Sequence, residues 1–250
     1  MVALNATPDS FVPGTRIHPD DAVSRVRDLL ARGADIIDLG AVSTRPGAAT
    51  VSEEEEWERL QPVLNALKAA GLMNDGGRDC PRFSIDTVRA GIIRRVMDIA
   101  GRVIVNDTSA GTADPGMLPL AAQEGLPFVA MHSRGTPQTM DALCDYPDGV
   151  VQSLLEYFEA FALKASGAGL MEWILDPGFG FAKTPEQNFE LLENLREFRR
   201  FGVPVLAGIA DKRFAGGRTA ELERIAAEGG ADILRIHEAT LAHYTKQKDI

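Results

Sequence analysis

Four residues with chemistry to offer stand at or just beyond the ends of short apolar runs. Asp86 follows Phe83-Ser84-Ile85, Asn106 follows Val103-Ile104-Val105, Asp176 follows Trp173-Ile174-Leu175, and Lys212 lies just past Val205-Leu206-Ala207-Gly208-Ile209. A carboxylate delivered to the end of a buried strand loses water on one side, and that is costly unless a partner or ligand donates hydrogen bonds to it. Two acceptors, an amide and a cation over one pocket suit a flat heterocycle with an edge of N–H donors. A second set, Asn5, Thr44, Arg45, Arg235 and His237, has the composition of a phosphate site, since arginine forks and histidine donate to phosphate oxygens. Paired carboxylates also equip glycosidases. Here neither carboxylate is Glu, and aromatic residues make up only 6% of the chain, too few to build sugar platforms.

The elements that must position these residues repeat one grammar, a buried strand tipped by a polar head. Val2-Ala3-Leu4 ends in Asn5, Ile36-Ile37 in Asp38, and Phe128-Val129-Ala130-Met131 in His132. Between the strands lie helical stretches. Pro19 opens one with Val23, Val26, Leu29 and Leu30 inward and Gly33 at its end, and Ser52 with Glu55 forms a capping box for the next. Later helices are expected from about 118 to 124, 149 to 166, 185 to 198, 219 to 228 and 239 to 246, with strands 7 and 8 at Val205–Ile209 and Ile233–His237. Eight strand-helix pairs in order predict a single α/β domain over residues 1–250, a (β/α)8 TIM barrel with its site at the strand C-termini. Barrel closure makes units 1, 2 and 8 neighbours, so one anion site would adjoin one heterocycle site.

Other polar residues have plainer readings beside functional ones. Asp38 either ties loops together by accepting backbone N–H groups or faces the site. His132 either supports a neighbour or touches the ligand itself. His18 and His243 read as surface residues, and Glu172 as solvated at the far end of the barrel. The acidic run Glu53 to Glu56 complements the dipole of the helix it opens.

Bulk properties narrow the partners. The chain has 250 residues, 45% of them hydrophobic, a formal net charge of −10 and a sequence pI near 4.9. Such a surface repels nucleic acid and anionic membranes, so an anionic substrate needs a local basic pocket. Cys80 and Cys144 lie far apart without metal-ligand spacing and read as reduced thiols. No apolar run approaches the roughly 18 residues of a membrane span and the first residues are too short for a signal peptide, so a soluble cytoplasmic protein is expected.

Seven ordered motifs carry a resemblance. Asn5-Ala6-Thr7-Pro8-Asp9-Ser10-Phe11, Ser43-Thr44-Arg45-Pro46-Gly47-Ala48, Ser84-Ile85-Asp86-Thr87, Val105-Asn106-Asp107, Met131-His132 and Leu175-Asp176-Pro177-Gly178-Phe179-Gly180-Phe181, with Arg235-X-His237, resemble dihydropteroate synthase over nearly the whole chain. The resemblance implies a transferase of folate biosynthesis and sulfonamide target, in which p-aminobenzoate displaces pyrophosphate from a 7,8-dihydropterin hydroxymethyl pyrophosphate. It implies that Asp86, Asn106, Asp176 and Lys212 bind the pterin, with Asp38, Met131 and Phe181 also lining the substrate. It assigns Asn5, Thr44, Arg45, Arg235 and His237 to the pyrophosphate, and Asn5 also to Mg²⁺. The catalytic set it implies is Asp86, Asp176, Lys212, Arg235 and His237. The C–O bond would ionise before the amine attacks, so fixed negative charge would serve a cationic pterin methylene. Small-molecule substrates, no nucleic acid, no membrane and a homodimer complete the expectation.

The chain also departs from that family. Ala210-Asp211-Lys212-Arg213 stands where Ser-Arg-Lys-Ser is usual, which makes Arg213 a candidate for the aminobenzoate carboxylate. The seventh βα unit is shorter than usual, Val12-Pro13-Gly14 replaces Ser-Asp-Gly, and strand 1 comes almost at once, without the usual N-terminal plug. Two other readings stay open: a paralogue that binds a pterin pyrophosphate without efficient condensation, and the pterin-binding part of a methyl-transfer system. Thr44-Arg45 and Arg235-X-His237 speak against the latter, because a methyl-tetrahydropterin brings no pyrophosphate.

Overall fold

A computed structural model of the chain describes residues 1–6, 16–42, 51–73, 82–136, 138–210 and 212–245. In chain order the elements are β1 (Val2–Asn5), α1 (Pro19–Ala31), β2 (Ile36–Gly40), α2 (Glu53–Ala69), β3 (Arg82–Asp86), α3 (Ala90–Ala100), β4 (Ile104–Asp107), α4 (Met117–Gln123), β5 (Phe128–Met131), α5 (Val150–Ala168), β6 (Trp173–Asp176), α6 (Pro185–Glu193), β7 (Leu206–Ala207), α7 (Thr219–Gly229), β8 (Ile233–Leu234) and α8 (Glu238–Thr245). Strand and helix alternate throughout, as the polar-tipped runs predict. The chain divides into two compact units, one of Met1–Thr44, Ala48–Asn106 and Ile236–Ile250, the other of Arg45–Gly47 and Asp107–Arg235.

In the first unit, β1 to β4 pair in parallel and in sequence order. Their residues are almost all buried, because a parallel strand with helices on its outer face meets no water and is written as a continuous apolar run. Pro19 occupies the first turn of α1, where its missing N–H is harmless, and the side chain of exposed His18 caps that turn by accepting from the Asp20 N–H. The capping box of α2 forms as expected: the Glu55 N–H donates to Ser52 Oγ at 3.2 Å, and the Ser52 N–H donates to the Glu55 carboxylate at 2.8 Å. The acidic run at the start of α2 serves more than the helix dipole. Glu54 pairs with Arg95 at 2.7 Å, and Glu56, buried and with its pKa raised by desolvation, pairs with Arg89. Ile236 adds to the free side of β1, with Ala3 N–H donating to its carbonyl at 3.0 Å, and α8 is pinned to α1 by Glu238 with Arg25 and Arg32.

In the second unit, β5 pairs with β6 and β7 with β8, all parallel, and a bridge from Leu175 to Val205 links β6 to β7. The core behind β6 is aromatic: Phe158 packs against Trp173, Phe198 and Phe201 with ring centroids 6.1 to 6.5 Å apart. Three elements differ from expectation in their extent. The sixth helix stops at Glu193, and a 3-10 segment, Leu195–Phe201, takes over; Leu195 and Phe198 still reach the core, so burial is satisfied by a different winding. The seventh and eighth strands shrink to two residues each, although the Arg235 N–H still donates to Ala207 at 2.9 Å. The seventh strand is followed only by a 3-10 turn, Arg213–Ala215, before α7. Among the described residues, no helix is long and apolar enough to cross a membrane.

Candidate active site

Register alone brings four strand ends of the first unit level. Asn5 pairs with Gly40, Gly40 with Asp86 and Asp86 with Asn106, so the polar heads of β1, β3 and β4 line up across β2. The second strand therefore runs two residues past Asp38, because buried Leu39 and Gly40 continue the ladder. Gly40 is what that row requires: a Cβ there would lie 3.2 Å from Asp86 Cβ and 3.6 Å from Asn5 Oδ1, so a side chain would crowd both. One level below, buried Asp38 accepts two contacts from the Asn106 amide, at 3.3 and 3.2 Å. Tying a loop is the work of Asp107, which accepts from the Ser109 N–H and hydroxyl at 2.7 Å and from the Gly111 N–H at 2.9 Å. Its burial raises its pKa against those three donors. Sequence reasoning missed that role, for which the Asp-x-Ser spacing of an Asx turn is the available signal. His237 lies in this unit just past the strand-like contact of Ile236.

In the second unit, β6 delivers Asp176 beside Met131, its register partner on β5. Asp176 is buried, and one oxygen accepts the Gly178 N–H at 2.8 Å. Burial raises its pKa, opposed by that N–H and by the charges of Lys212, Arg235 and Lys183. A carboxylate so placed gains from any further N–H donor. Lys212 Nζ sits 4.1 Å from the centre of the Phe181 ring, a cation–π contact. Gly180 makes room for it, since a Cβ there would come within 2.9 Å of Lys212 Cδ. Asp176 and Lys212, grouped from the sequence, thus share an electrostatic neighbourhood with Phe181 and with Arg235, which the sequence reading put in the phosphate set.

His132 is buried, and its Nδ1 lies 3.1 Å from Lys183 Nζ while its ring meets the edge of Tyr157 at 4.8 Å. Desolvation, then the charges of Lys183 and Arg134, push its pKa down to about 2, so it is neutral. Of its two readings, the supporting one fits this geometry. Lys183, which the sequence reading passed over, is buried. Desolvation lowers its pKa to about 7, and Asp176 works to hold it up. Arg213 is 79% exposed and donates to both oxygens of Asp141, at 2.7 and 2.8 Å. Thr44, Arg45, Asp211 and Cys80 lie outside the described residues.

The family model described as pterin binding enzyme matches residues 1–237, and the chain belongs to that family. Within it, a dihydropteroate synthase of Synechocystis sp. is 42% identical over 95% of this chain and 84% of its own length. Among solved structures, the dihydropteroate synthase of Yersinia pestis in a sulfonamide complex is 34% identical, with a TM-score of 0.86 over 98% of this chain and 90% of that one. That of Thermus thermophilus in complex with 4-aminobenzoate is also 34% identical, with a TM-score of 0.81 over 98% and 90%. The fold class is accordingly the (β/α)8 barrel of α/β proteins, as the alternation of elements foreshadows.

Proposed function

We infer that the chain is a dihydropteroate synthase, condensing 7,8-dihydropterin hydroxymethyl pyrophosphate with p-aminobenzoate to give 7,8-dihydropteroate and pyrophosphate in folate biosynthesis. The observation that carries this beyond kinship is the state of Asp176: a buried carboxylate with one backbone donor, surrounded by cations, and stabilised by whatever N–H edge arrives. In this proposal Asp176 accepts from the pterin ring and its negative charge offsets the cation that forms at the methylene as the C–O bond ionises. Lys212 and Phe181 pack and polarise the ring. In the first unit, Asp86 and Asn106 supply further acceptor and amide contacts, and Asp38 fixes the Asn106 amide. Arg235 and His237, with Thr44 and Arg45, take the pyrophosphate oxygens by charge-assisted hydrogen bonds.

Magnesium belongs to the same proposal. Asn5 offers a hard amide oxygen, and among the described residues no group of three acidic, histidine or cysteine side chains would cage an ion by itself. One protein oxygen with water and phosphate completing the shell is a usual arrangement for Mg²⁺. When bound, the ion would supply charge neutralisation to the departing pyrophosphate. We also assign the work to the cytoplasm and to a homodimer, which light scattering reads directly. The deciding experiment incubates the protein with dihydropterin pyrophosphate, p-aminobenzoate and Mg²⁺ and follows both products. Formation of both supports the reading, whereas pterin binding without dihydropteroate identifies a non-condensing paralogue.

A further inference from the structure

The loop from Asp176 into α6 is wound around a buried ammonium. Gly178, Gly180 and Ala182 all take positive φ, at 70°, 77° and 48°. For Ala182 that conformation costs roughly 1–2 kcal/mol, and its carbonyl is held by the Tyr146 hydroxyl at 3.0 Å. The winding turns the Gly178 and Phe181 carbonyls inward, and both accept from Lys183 Nζ at 2.9 Å. The third contact of that ammonium is His132 Nδ1 at 3.1 Å. Below about pH 7, where Lys183 carries its charge, three donors meet three acceptors, which requires His132 to present a lone pair at Nδ1 and to carry its hydrogen on Nε2. Gly178 has no slack, because a Cβ there would overlap the His132 carbonyl oxygen.

Both ends of this winding carry proposed substrate contacts. The Gly178 N–H fixes the Asp176 carboxylate, and Phe181 lies under Lys212. We propose that Lys183 is a positioning residue for pterin recognition: tied to two loop carbonyls and to His132, its ammonium holds the loop in the shape that aims Asp176 and seats Phe181 against Lys212. Lys183 acts through these neighbours and does not itself touch substrate. An apolar side chain of similar length would fill the space but leave the Phe181 carbonyl and His132 Nδ1 without their donor, and buried acceptors left unpaired drive a loop to rewind. The inference rests on the reading that Asp176 accepts from the pterin, and its test separates the two.

The test compares the wild-type protein with Lys183→Met, measuring affinity for 7,8-dihydropterin hydroxymethyl pyrophosphate and the KM for p-aminobenzoate. The expected result is tight binding by the wild type, at least a tenfold loss in the variant, and a p-aminobenzoate KM within about twofold. Equal pterin affinity in the two proteins overturns the positioning role alone. Failure of the wild type to bind the pterin overturns the functional reading and this inference with it. A variant that does not fold leaves a measurement on the wild type: below about pH 7, where Lys183 is charged, ¹⁵N spectra of the histidine ring should show His132 Nδ1 without a proton and Nε2 with one. A protonated Nδ1 overturns the proposal.

Discussion

The side-chain amide of Asn106 donates to both carboxylate oxygens of Asp38, at 3.3 and 3.2 Å, reaching back from the end of β4 past the intervening β3. Because the amide nitrogen is committed to a buried carboxylate, the carbonyl end of Asn106 is turned the other way, and its orientation is fixed by charge. A neutral partner would leave that choice open. Asp38→Asn should therefore keep the fold, lower stability by about 1–3 kcal/mol, and weaken pterin binding by about tenfold. Thermal unfolding and calorimetry on the same preparation check both. Unchanged affinity would show that the orientation of Asn106 does not matter to the ligand.

Asp176→Asn separates binding from folding. The substitution keeps an acceptor for the Gly178 N–H but removes a charge that burial disfavours. Pterin affinity should fall by about 1.5–3 kcal/mol, the worth of a hydrogen bond to a charged group, while the melting temperature stays level or rises. A drop in both would mean that the carboxylate serves the fold.

How much of this was legible in the sequence depends on what kind of signal each residue leaves. Asn5, Asp86, Asn106 and Asp176 announce themselves because a charge or amide directly after an apolar run is rare in a strand and has few structural uses. Gly40 leaves no such mark: its importance appears only when β2 and β3 are set in register and a Cβ is seen to crowd Asp86. Lys183 was hidden for a related reason. A lysine seven residues past Asp176 reads as a solvated helix entry, and only a loop wound through positive φ returns its ammonium to the interior. The short β7 and β8 were overread because apolar composition extends further than the hydrogen-bonded ladder. The start of α2 was clear because its cap is written out at Ser52, and the sixth helix's end was not, because nothing in the sequence from 193 to 198 distinguishes α from 3-10 winding.

Arg235→Ala should discriminate between ligands. Its proposed partners are phosphate oxygens, so a pyrophosphate-bearing pterin should lose at least tenfold in affinity and a bare pterin less than threefold. Equal losses would assign Arg235 to the ring or, through its influence on Asp176, to the electrostatics of the pocket.

His132 and Lys183 shape the pH dependence of stability. The folded protein refuses a proton at His132 down to about pH 2, whereas the unfolded chain takes one up below its ordinary 6.5. From this group, stability falls as pH drops below 6.5, approaching about 1.4 kcal/mol per pH unit. Lys183, lowered to about 7 from 10.5, adds stability as pH rises between those values, because there the unfolded chain holds a proton that the folded one has released. Asp107 and Asp176 act in the opposite sense, since their raised carboxyls carry a penalty at neutral pH that protonation relieves. The clean measurement is a difference: His132→Asn keeps an acceptor near Nδ1 without a titration, so its stability between pH 6.5 and 5 should fall less steeply than that of the wild type. Parallel curves would show that His132 is not neutral in the folded state.

Arg213, the candidate that the resemblance puts at the aminobenzoate carboxylate, has surroundings that define the last prediction. Its guanidinium is bound to Asp141 by two contacts to one nitrogen, with both side chains more than half exposed. Such a pair is worth about 0–1 kcal/mol, little enough for an incoming carboxylate to compete with it. The carboxylate of p-aminobenzoate is such a competitor, and a charge-assisted contact to it is roughly twice as strong as the neutral hydrogen bond a serine would give. Asp141 would then act as a resting partner that substrate displaces. Arg213→Ser should raise the KM for p-aminobenzoate several-fold with little change in kcat, and Asp141→Asn should lower it by releasing the guanidinium. The two substitutions together should behave like Arg213→Ser alone, because without the guanidinium the resting pair has nothing to withhold. If Arg213→Ser lowers the KM instead, the arginine obstructs the site. If neither variant moves it, the pair is surface decoration, and aminobenzoate recognition lies with other residues.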